Sequence, residues 1–377
     1  MNTPAHHRTA ARRVAVVLAA STSALALTAC GTTGVVGSGS SASWKKGDGV
    51  SVGLLLPDRS TARFEKADYP LFKKEVASLT HGKGKVLYAN AGASTTTQSR
   101  QFQQMVHEKA DVIVVDPVDA GAIAPDVQKA EGAGIPVIAY DRLAQGPIDA
   151  YVSHDNELVG QVQGRAILQA LGPKAGHSEI VMMNGDPADP NTAQFKEGAL
   201  GELQGEIRIA KQYDTAKWSP AVARANMKDA IRSIGVHNIA AVYSANDGMA
   251  GAVIDQLKKA GATEMPPVTG QDANLDAVQR IVSGEQYMTV YKSFLDEADG
   301  AAQMAVAKAQ GKDIQFDALT RDTVDSPTTK KIPALLLPVV ALTKANIKST
   351  VVADGVYSVA EICTPKYEAS CAEIGLK

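Results

Sequence analysis

Short apolar runs alternate with amphipathic stretches along the chain from residue 50 onward. Runs with the composition of β-strands come first at Val50–Leu56, Lys85–Asn90, Val112–Asp116, Pro136–Asp141 and Ala150–Ser153. Between the second and third runs, in Thr97–Lys109, apolar residues recur at the i, i+3, i+4 spacing of an amphipathic helix. This alternation predicts a mostly parallel sheet with helices on both faces.

The same alternation then begins a second time. Strands are predicted at Ile180–Met183, Ile207–Tyr213, Ala240–Ser244, Val268–Thr269 and Met288–Tyr291. Helices are predicted at Asn156–Leu171, Thr192–Leu203, Pro220–Ile234, Gly248–Ala260 and Leu275–Ser283. Because a region of roughly 330 residues is longer than one hydrophobic core usually supports, we predict an α/β protein of two successive doubly wound lobes.

The first 49 residues have a different composition. Three arginines precede the apolar run Val14–Leu27, which is typical of a secretory signal and shorter than the roughly 20 apolar residues that span a membrane. Leu27-Thr28-Ala29-Cys30 resembles the bacterial lipoprotein cleavage box, although a cysteine could stand there by chance. We therefore predict a signal peptide over 1–29, a lipid anchor on Cys30 and a flexible tether over 30–49.

Charge and cysteine content narrow the class of protein. Removing the predicted signal takes away three arginines and no acidic residue, so the net charge changes from −2 to −5. A mildly acidic chain is a poor candidate for binding nucleic acid. Outside the cell, Cys363 and Cys371 are expected to form a local disulfide, with two free buried thiols as the alternative. No histidine lies near them, which argues against a metal site.

Polar side chains follow the ends of the predicted strands, where doubly wound sheets bind their ligands. The strand ends lead into Pro57–Phe64, Asp141–Arg142, Asn184–Asn191, Asn246–Gly248, Gln271–Asp272 and Lys292, with Phe64 and Trp218 as aromatic candidates. Carboxylate, amide, guanidinium and ammonium groups satisfy the hydroxyls of a sugar, and aromatic rings cover its C–H faces. The set is therefore suited to a monosaccharide.

Each candidate also has a structural interpretation. Asn246 and Asp272 could merely cap the helices that follow them. An Asp-x-Asn-x-Asp run from Asp272 hints at calcium, but it lacks the glycine and the bidentate glutamate of a calcium loop. Asp141 and Arg142 could form a structural ion pair, Lys292 could be a solvated lysine, and Trp218 could belong to the core.

From about Val50 to beyond Asp354, the chain resembles the D-xylose-binding proteins of ABC importers. These are related to the ribose and galactose/glucose binders of the same periplasmic binding protein group. The matching stretches are Ala139–Arg142, Ile148–Gly160, Ser244–Asp247, Gly270–Ala273 and Met288–Lys292. Several matches in the same order are more specific than any one of them.

The resemblance implies two Rossmann-like lobes of the type I periplasmic binding protein fold, joined by a hinge of crossing segments around the sugar. The N-terminal lobe is expected over 50–150 plus 293–318, and the C-terminal lobe over 151–292 plus 319–377. The family's site residues, carried over one by one, are Arg63, Phe64, Asp141 and Arg142 on the first lobe. Those on the second lobe or the hinge are Asn191, Trp218, Asn246, Asp272 and Lys292. Phe64 stands where xylose binders usually carry tryptophan, the first loop is one residue longer, and Pro190 replaces an amide.

The function implied is that of an extracytoplasmic solute-binding lipoprotein, a monomer that closes around a monosaccharide and delivers it to an ABC permease. The ATPase must be a separate subunit, because the chain has no G-x-x-x-x-G-K-[ST] loop. No cofactor, metal or nucleic acid is expected. Two alternatives stay open: a sugar-sensing receptor partner in chemotaxis or two-component signalling, and a glycosidase that uses paired carboxylates. Which sugar is preferred also stays open.

Overall fold

The computed structural model describes residues 47–377. The predicted signal peptide, Cys30 and most of the predicted tether lie outside the described residues. The described strands are β1 Ser51–Leu56, β2 Lys85–Asn90, β3 Val112–Val115, β4 Val137–Tyr140, β5 Ala150–His154, β6 Glu179–Met183, β7 Arg208–Tyr213, β8 Ile239–Ser244, β9 Thr289–Lys292, β10 Asp322–Val324, β11 Ile332–Leu337 and β12 Val339–Leu342.

Helices follow most of these strands. They are α1 Tyr69–Leu79, α2 Thr95–His107, α3 Ala124–Gly132, α4 Asn156–Leu171, α5 Pro190–Leu203, α6 Pro220–Ile234, α7 Asp247–Lys259, α8 Leu275–Ser283, α9 Phe294–Ala309, α10 Asp313–Leu319, α11 Val359–Ile362 and α12 Glu368–Glu373. The predicted elements are present with ends shifted by at most two residues. The exception is Val268–Thr269, where Val268 makes only an isolated bridge to Val242 of β8.

The first sheet has the strand order β10-β11-β5-β4-β3-β1-β2, and every neighbouring pair is parallel except β10 with β11. Side chains alternate between its two buried faces. Val52 and Leu54 pack with α1 and α9 on one face, whereas Leu55 packs with α2 and α3 on the other. Burial on both faces explains why these strands read as continuous apolar runs.

The second sheet has the parallel order β7-β6-β8. Ile180 and Met182 of β6 pack with α4 and α5, while Val181 and Met183 pack with α6 and α7 on the opposite face. Next to it, β9 and β12 form an antiparallel pair, and Val290 of β9 bridges to Gln271. The chain therefore forms two helix-covered sheets in succession.

The chain passes between these sheets three times. The crossings lie between β5 and α4, between β9 and α9, and between β11 and β12, because β11 pairs with β5 and β12 pairs with β9. This pairing corrects the predicted lobe boundaries. Residues 151–154 and 322–337 were assigned to the C-terminal lobe, but their backbone hydrogen bonds belong to the first sheet.

The C-terminal segment packs against α8. Ile347, Val351 and Ile362 form a small apolar cluster with this helix. Cys363 and Cys371 are joined by a disulfide, with their Cα atoms 5.9 Å apart. Within residues 47–377, no helix combines the length and the apolar character that crossing a membrane requires.

Helices α4 and α5 approach each other closely through glycines. A Cβ atom added at Gly160 of α4 would lie 2.0 Å from the carbonyl oxygen of Phe195, and one added at Gly198 of α5 would lie 2.0 Å from that of Glu157. Backbone atoms of the facing helix occupy both positions, so larger residues cannot fit without separating the helices. The contact fixes the position of α5, whose first turn carries Asn191.

We expect Gly198→Ala to lower the free energy of unfolding by about 3 kcal/mol, because the new methyl group would overlap the backbone of α4. Gly201→Ala on the same helix is the matched control, since no atom lies within 4 Å of the added Cβ. It should stabilise the protein by about 0.5–1 kcal/mol through helix propensity. Urea unfolding measures both, and equal effects of the two substitutions would contradict the steric argument.

Candidate functional site

A small cavity of about 30 Å³ lies between loops of the first sheet and loops of the second. Its walls contain all nine residues predicted from the sequence: Arg63, Phe64, Asp141, Arg142, Asn191, Trp218, Asn246, Asp272 and Lys292. Four residues that were not predicted as site residues also line it, namely Thr61, Asp189, Phe195 and Gln271.

Arg63 lies near the start of a π-helical turn that follows β1, and its guanidinium is buried. Its Nε donates to Asp68 Oδ2 at 2.9 Å and its Nη1 to Asp141 Oδ2 at 2.7 Å. Its Nη2 donates to Asp68 Oδ1 and to Glu297 Oε2. Three carboxylates therefore fix a cation in the cavity wall, with charge-assisted hydrogen bonds on each nitrogen.

Glu297, in the first turn of α9, is fully buried behind this arginine. Its Oε2 lies 3.6 Å from His154 Nδ1 as well as contacting Arg63. Burial opposes the charged carboxylate, but Arg63 and His154 outweigh burial and lower the pKa of Glu297 to about 2. Glu297 is therefore charged across the physiological pH range.

Asp141 follows β4 in a left-handed backbone conformation, with φ of 58°. Its carbonyl oxygen accepts hydrogen bonds from Tyr151 Oη at 2.7 Å, Ser153 Oγ at 2.8 Å and Asn191 Nδ2 at 3.0 Å. Such a conformation costs on the order of 1–3 kcal/mol and persists only where the surroundings hold it. Asn191 Nδ2 also donates to Asp141 Oδ1 at 2.9 Å, which joins the two sides of the cavity.

Arg142 sits among acidic side chains. Its Nε lies 2.8 Å from Asp189 Oδ2 and 3.5 Å from Asp116 Oδ1, and its Nη2 lies 3.8 Å from Asp58 Oδ2. Burial raises the pKa of both Asp116 and Asp189, although Arg142 acts in the opposite direction. Neither oxygen of Asp116 has a hydrogen-bond partner among the described residues. Arg142 is therefore ion-paired and also lines the cavity, but the alternative of an Asp141–Arg142 ion pair is wrong, because Asp141 pairs with Arg63.

Trp218 ends a short 3-10 turn after β7, also with positive φ. Its Nε1 donates to Asp189 Oδ2 at 3.1 Å, and its ring meets Phe195 edge to face. A Cβ added at Gly185 would lie 2.1 Å from the Trp218 ring, so glycine is required for this approach. Phe64 also lines the cavity. The guanidinium carbon of Arg63 lies 5.6 Å from its ring centre, and that of Arg142 lies 5.9 Å from it.

Asn246 both caps a helix and lines the cavity. Its Oδ1 accepts from Met249 N at 3.0 Å at the start of α7, and no described residue accepts a hydrogen bond from its Nδ2. The neighbouring Asp247 is structural. Burial raises its pKa to about 7, and Gln286, Asn274 and Thr289 donate to its oxygens.

Asp272 has φ of 92°, and its Oδ1 lies 2.9 Å from Nζ of the buried Lys292 at the end of β9. It does not cap α8, whose first flanking residue is Asn274. Burial opposes the charge on Lys292, but the charge of Asp272 raises the pKa of that lysine. Within residues 47–377, no group of three or more His, Cys, Asp or Glu side chains is placed to hold a metal ion.

The residues that sequence reasoning missed had weak signals. Asp189 precedes Pro190 and reads as a helix cap, a role it also has because its Oδ1 accepts from Asn191 N at 2.9 Å. Gln271 adjoins the predicted Asp272, and its buried Oε1 has no hydrogen-bond partner among the described residues. The buried Asn191 Oδ1 is also unpaired. Such atoms are rare in folded proteins and here offer acceptors to a ligand.

Comparison with known proteins gives three kinds of match. Residues 52–313 match the family model described as a periplasmic binding protein domain. The chain is 32% identical over 315 residues to the D-xylose-binding periplasmic protein of Haemophilus influenzae, covering 82% of this chain and 91% of that protein. It is 31% identical over 334 residues to a multiple sugar-binding periplasmic receptor of Rhizobium radiobacter, covering 82% and 91%.

Among solved structures, an ABC transporter solute-binding protein of Clostridium phytofermentans with bound β-D-glucose is similar. It has a TM-score of 0.76 and 25% sequence identity, with 83% of this chain and 99% of that chain covered. Together with the family match, this confirms the predicted α/β fold class of two doubly wound lobes.

Because Glu297 makes ionic contacts, we predict that the free energy of unfolding depends on pH. Because its pKa is lowered from an ordinary 4.5 to about 2 on folding, its stabilisation is present above pH 4.5 and is lost as the pH falls toward 2. Glu297→Gln should therefore reduce the free energy of unfolding by about 3 kcal/mol at pH 7 and by progressively less below pH 4.5.

Urea unfolding at pH 7, 5, 4 and 3 measures this difference. Asp299→Asn, on the same helix outside the cluster, should change stability by less than about 1 kcal/mol at pH 7. A difference between wild type and Glu297→Gln that stayed constant from pH 7 to pH 3 would contradict the ionic assignment.

Proposed function

Since the chain belongs to the periplasmic binding protein family, we propose that it captures a monosaccharide, D-xylose or a related aldose, outside the cytoplasm for an ABC importer. One observation carries this proposal. Polar and aromatic side chains from the loops of two separate sheets meet around one cavity. Neither sheet alone could surround a ligand in this way.

The hydrogen-bonding groups of the cavity match a ring of hydroxyls. Asn191 Oδ1 and Gln271 Oε1 can accept hydrogen bonds, and Asn246 Nδ2 can donate them. A hydroxyl does both, so each can find a partner. Phe64 and Trp218 provide apolar surfaces for the C–H faces of the ring. A sugar with the wrong hydroxyl configuration would leave one of these buried groups unpaired. Each unpaired group would cost about 1–3 kcal/mol of binding free energy.

The contact between Asn191 and Asp141 supports capture by closure. It joins the loop after β4 to the first turn of α5, which belong to different sheets. A sugar bonded to both sides would add contacts that exist only in the closed arrangement and would shift the population toward it. The closed form would then dock on the permease, and a separate subunit would hydrolyse ATP.

The charges of the cavity favour an uncharged ligand. Each of the three cations that line it lies within 2.9 Å of a carboxylate: Arg63 with Asp141, Arg142 with Asp189, and Lys292 with Asp272. Buried carboxylates also stand behind the wall, including Asp68, Asp116 and Glu297. A uronate or sugar phosphate would bring a further negative charge with no free cation to receive it.

A second candidate is a sugar receptor that presents its closed form to a signalling partner. The similarity to a sugar-binding periplasmic receptor favours this possibility. Both functions use the same ligand site, so they differ in the membrane protein that is contacted. Loss of sugar uptake after deletion of the gene would support the importer function, and unchanged uptake would favour the receptor.

Isothermal titration calorimetry tests the ligand. We expect D-xylose or D-glucose to bind with micromolar or lower Kd, and D-glucuronate and D-glucose 6-phosphate to bind at least about 100-fold more weakly, about 2.7 kcal/mol. No heat with a panel of neutral pentoses and hexoses would overturn the proposed function. Equal affinity for glucose and glucuronate would contradict the charge argument alone.

Asp272→Asn tests in the same titrations whether the cavity is the sugar site. Removal of this charge releases Lys292 and should weaken sugar binding by at least about tenfold. Asp276→Asn is the matched substitution, because this largely exposed residue on α8 does not line the cavity. Its Kd should equal that of wild type.

We further propose that Cys30 carries a lipid anchor that keeps the protein near its permease. Expressed with its complete leader, wild type should sediment with membranes and Cys30→Ser should be found in the soluble extracytoplasmic fraction. Membrane association of Cys30→Ser would contradict the anchor, without bearing on sugar binding.

A further inference from the structure

Glu297 lies where two of the chain crossings meet. It stands in the first turn of α9, just after the chain leaves β9 at Lys292. Its neighbour His154 is the last residue of β5, and Asp155 then caps α4 by accepting from Leu158 N at 3.0 Å. Both Glu297 and His154 are buried, and neither lines the cavity.

The contacts of Glu297 lead from these crossings to the cavity wall. Its Oε2 contacts Arg63 Nη2 on one side and lies 3.6 Å from His154 Nδ1 on the other. Arg63 in turn donates from Nη1 to Asp141 Oδ2 at 2.7 Å. Arg63 and Asp141 both line the cavity, so one charged chain of contacts joins a crossing to the ligand site.

Arg63 has a second strong partner, Asp68, so its charge is not balanced by Glu297 alone. Asp68 binds both Nε at 2.9 Å and Nη2 at 2.6 Å, and it would keep the guanidinium buried without Glu297. The ring of Phe294 lies 4.1 Å from the guanidinium carbon. Glu297 is thus not needed to neutralise Arg63; its contact with Nη2 adds a further fixed point to the planar group whose Nη1 meets Asp141.

We propose that Glu297 is a positioning residue for ligand capture, which holds Arg63 against Asp141 and, together with His154, ties this wall to the β5–α4 and β9–α9 crossings. This inference rests on the proposed sugar-binding function. Crossing segments absorb the rotation when two lobes open and close. A contact that already holds Arg63 against Asp141 before the sugar arrives would reduce the ordering cost of binding.

The first test measures the Kd of Glu297→Gln by calorimetry, using D-xylose or D-glucose, whichever wild type binds more tightly. We expect affinity to fall at least tenfold while the order of preference among sugars stays the same, because no contact with the sugar is removed. Asp299→Asn on the same helix is the control and should bind as wild type does. Unchanged affinity in Glu297→Gln would overturn the proposal.

A second test separates positioning from a general structural effect. In an Arg63→Lys background the guanidinium fork is absent, so adding Glu297→Gln should change the Kd by less than threefold. A full additional tenfold loss in that background would mean that Glu297 does not act through Arg63, and would overturn the proposal.

His154→Gln gives an independent reading if Glu297→Gln does not fold. It removes the imidazole beside Glu297 without changing a cavity residue, and should weaken binding at least threefold. A Kd equal to that of wild type would overturn the link to the β5–α4 crossing. If wild type itself binds neither sugar, the proposed ligand fails instead, so the two failures are distinguishable.

Discussion

Two buried guanidinium groups, those of Arg63 and Arg142, hold the candidate site together. Each is surrounded by carboxylates from separate segments: Asp68, Asp141 and Glu297 around Arg63, and Asp58, Asp116 and Asp189 around Arg142. Planar groups with several fixed donors suit this arrangement better than lysine would. Because burying a lone charge is costly, removal of any partner is expected to disturb the others.

This arrangement places more acidic than basic side chains in and behind the cavity wall. Burial raises the pKa of Asp116 and Asp189, and nearby carboxylates such as Asp141 act in the same direction. The cluster has no spare cation for an anionic ligand. It instead presents oriented dipoles and paired charges, which suit neutral hydroxyl groups.

Backbone strain also occurs in the cavity wall. Asp141, Trp218 and Asp272 are non-glycine residues with positive φ, and all three line the cavity. At Asp141, three hydrogen bonds to the carbonyl oxygen hold the strained conformation. At a binding site, such a strained backbone directs side chains into positions that a relaxed strand end would not give them.

The sequence determined the two doubly wound sheets, because strand periodicity is local. The sequence indicated the nine wall residues only through polar strand ends taken together with the family resemblance. It did not determine the return of β11 to the first sheet, since the partner of Ile332–Leu337 is β5, far away in the chain. Tertiary structure alone placed Glu297 and His154 behind Arg63. Their contacts join segments over 140 residues apart, and no local pattern encodes which buried charges will meet.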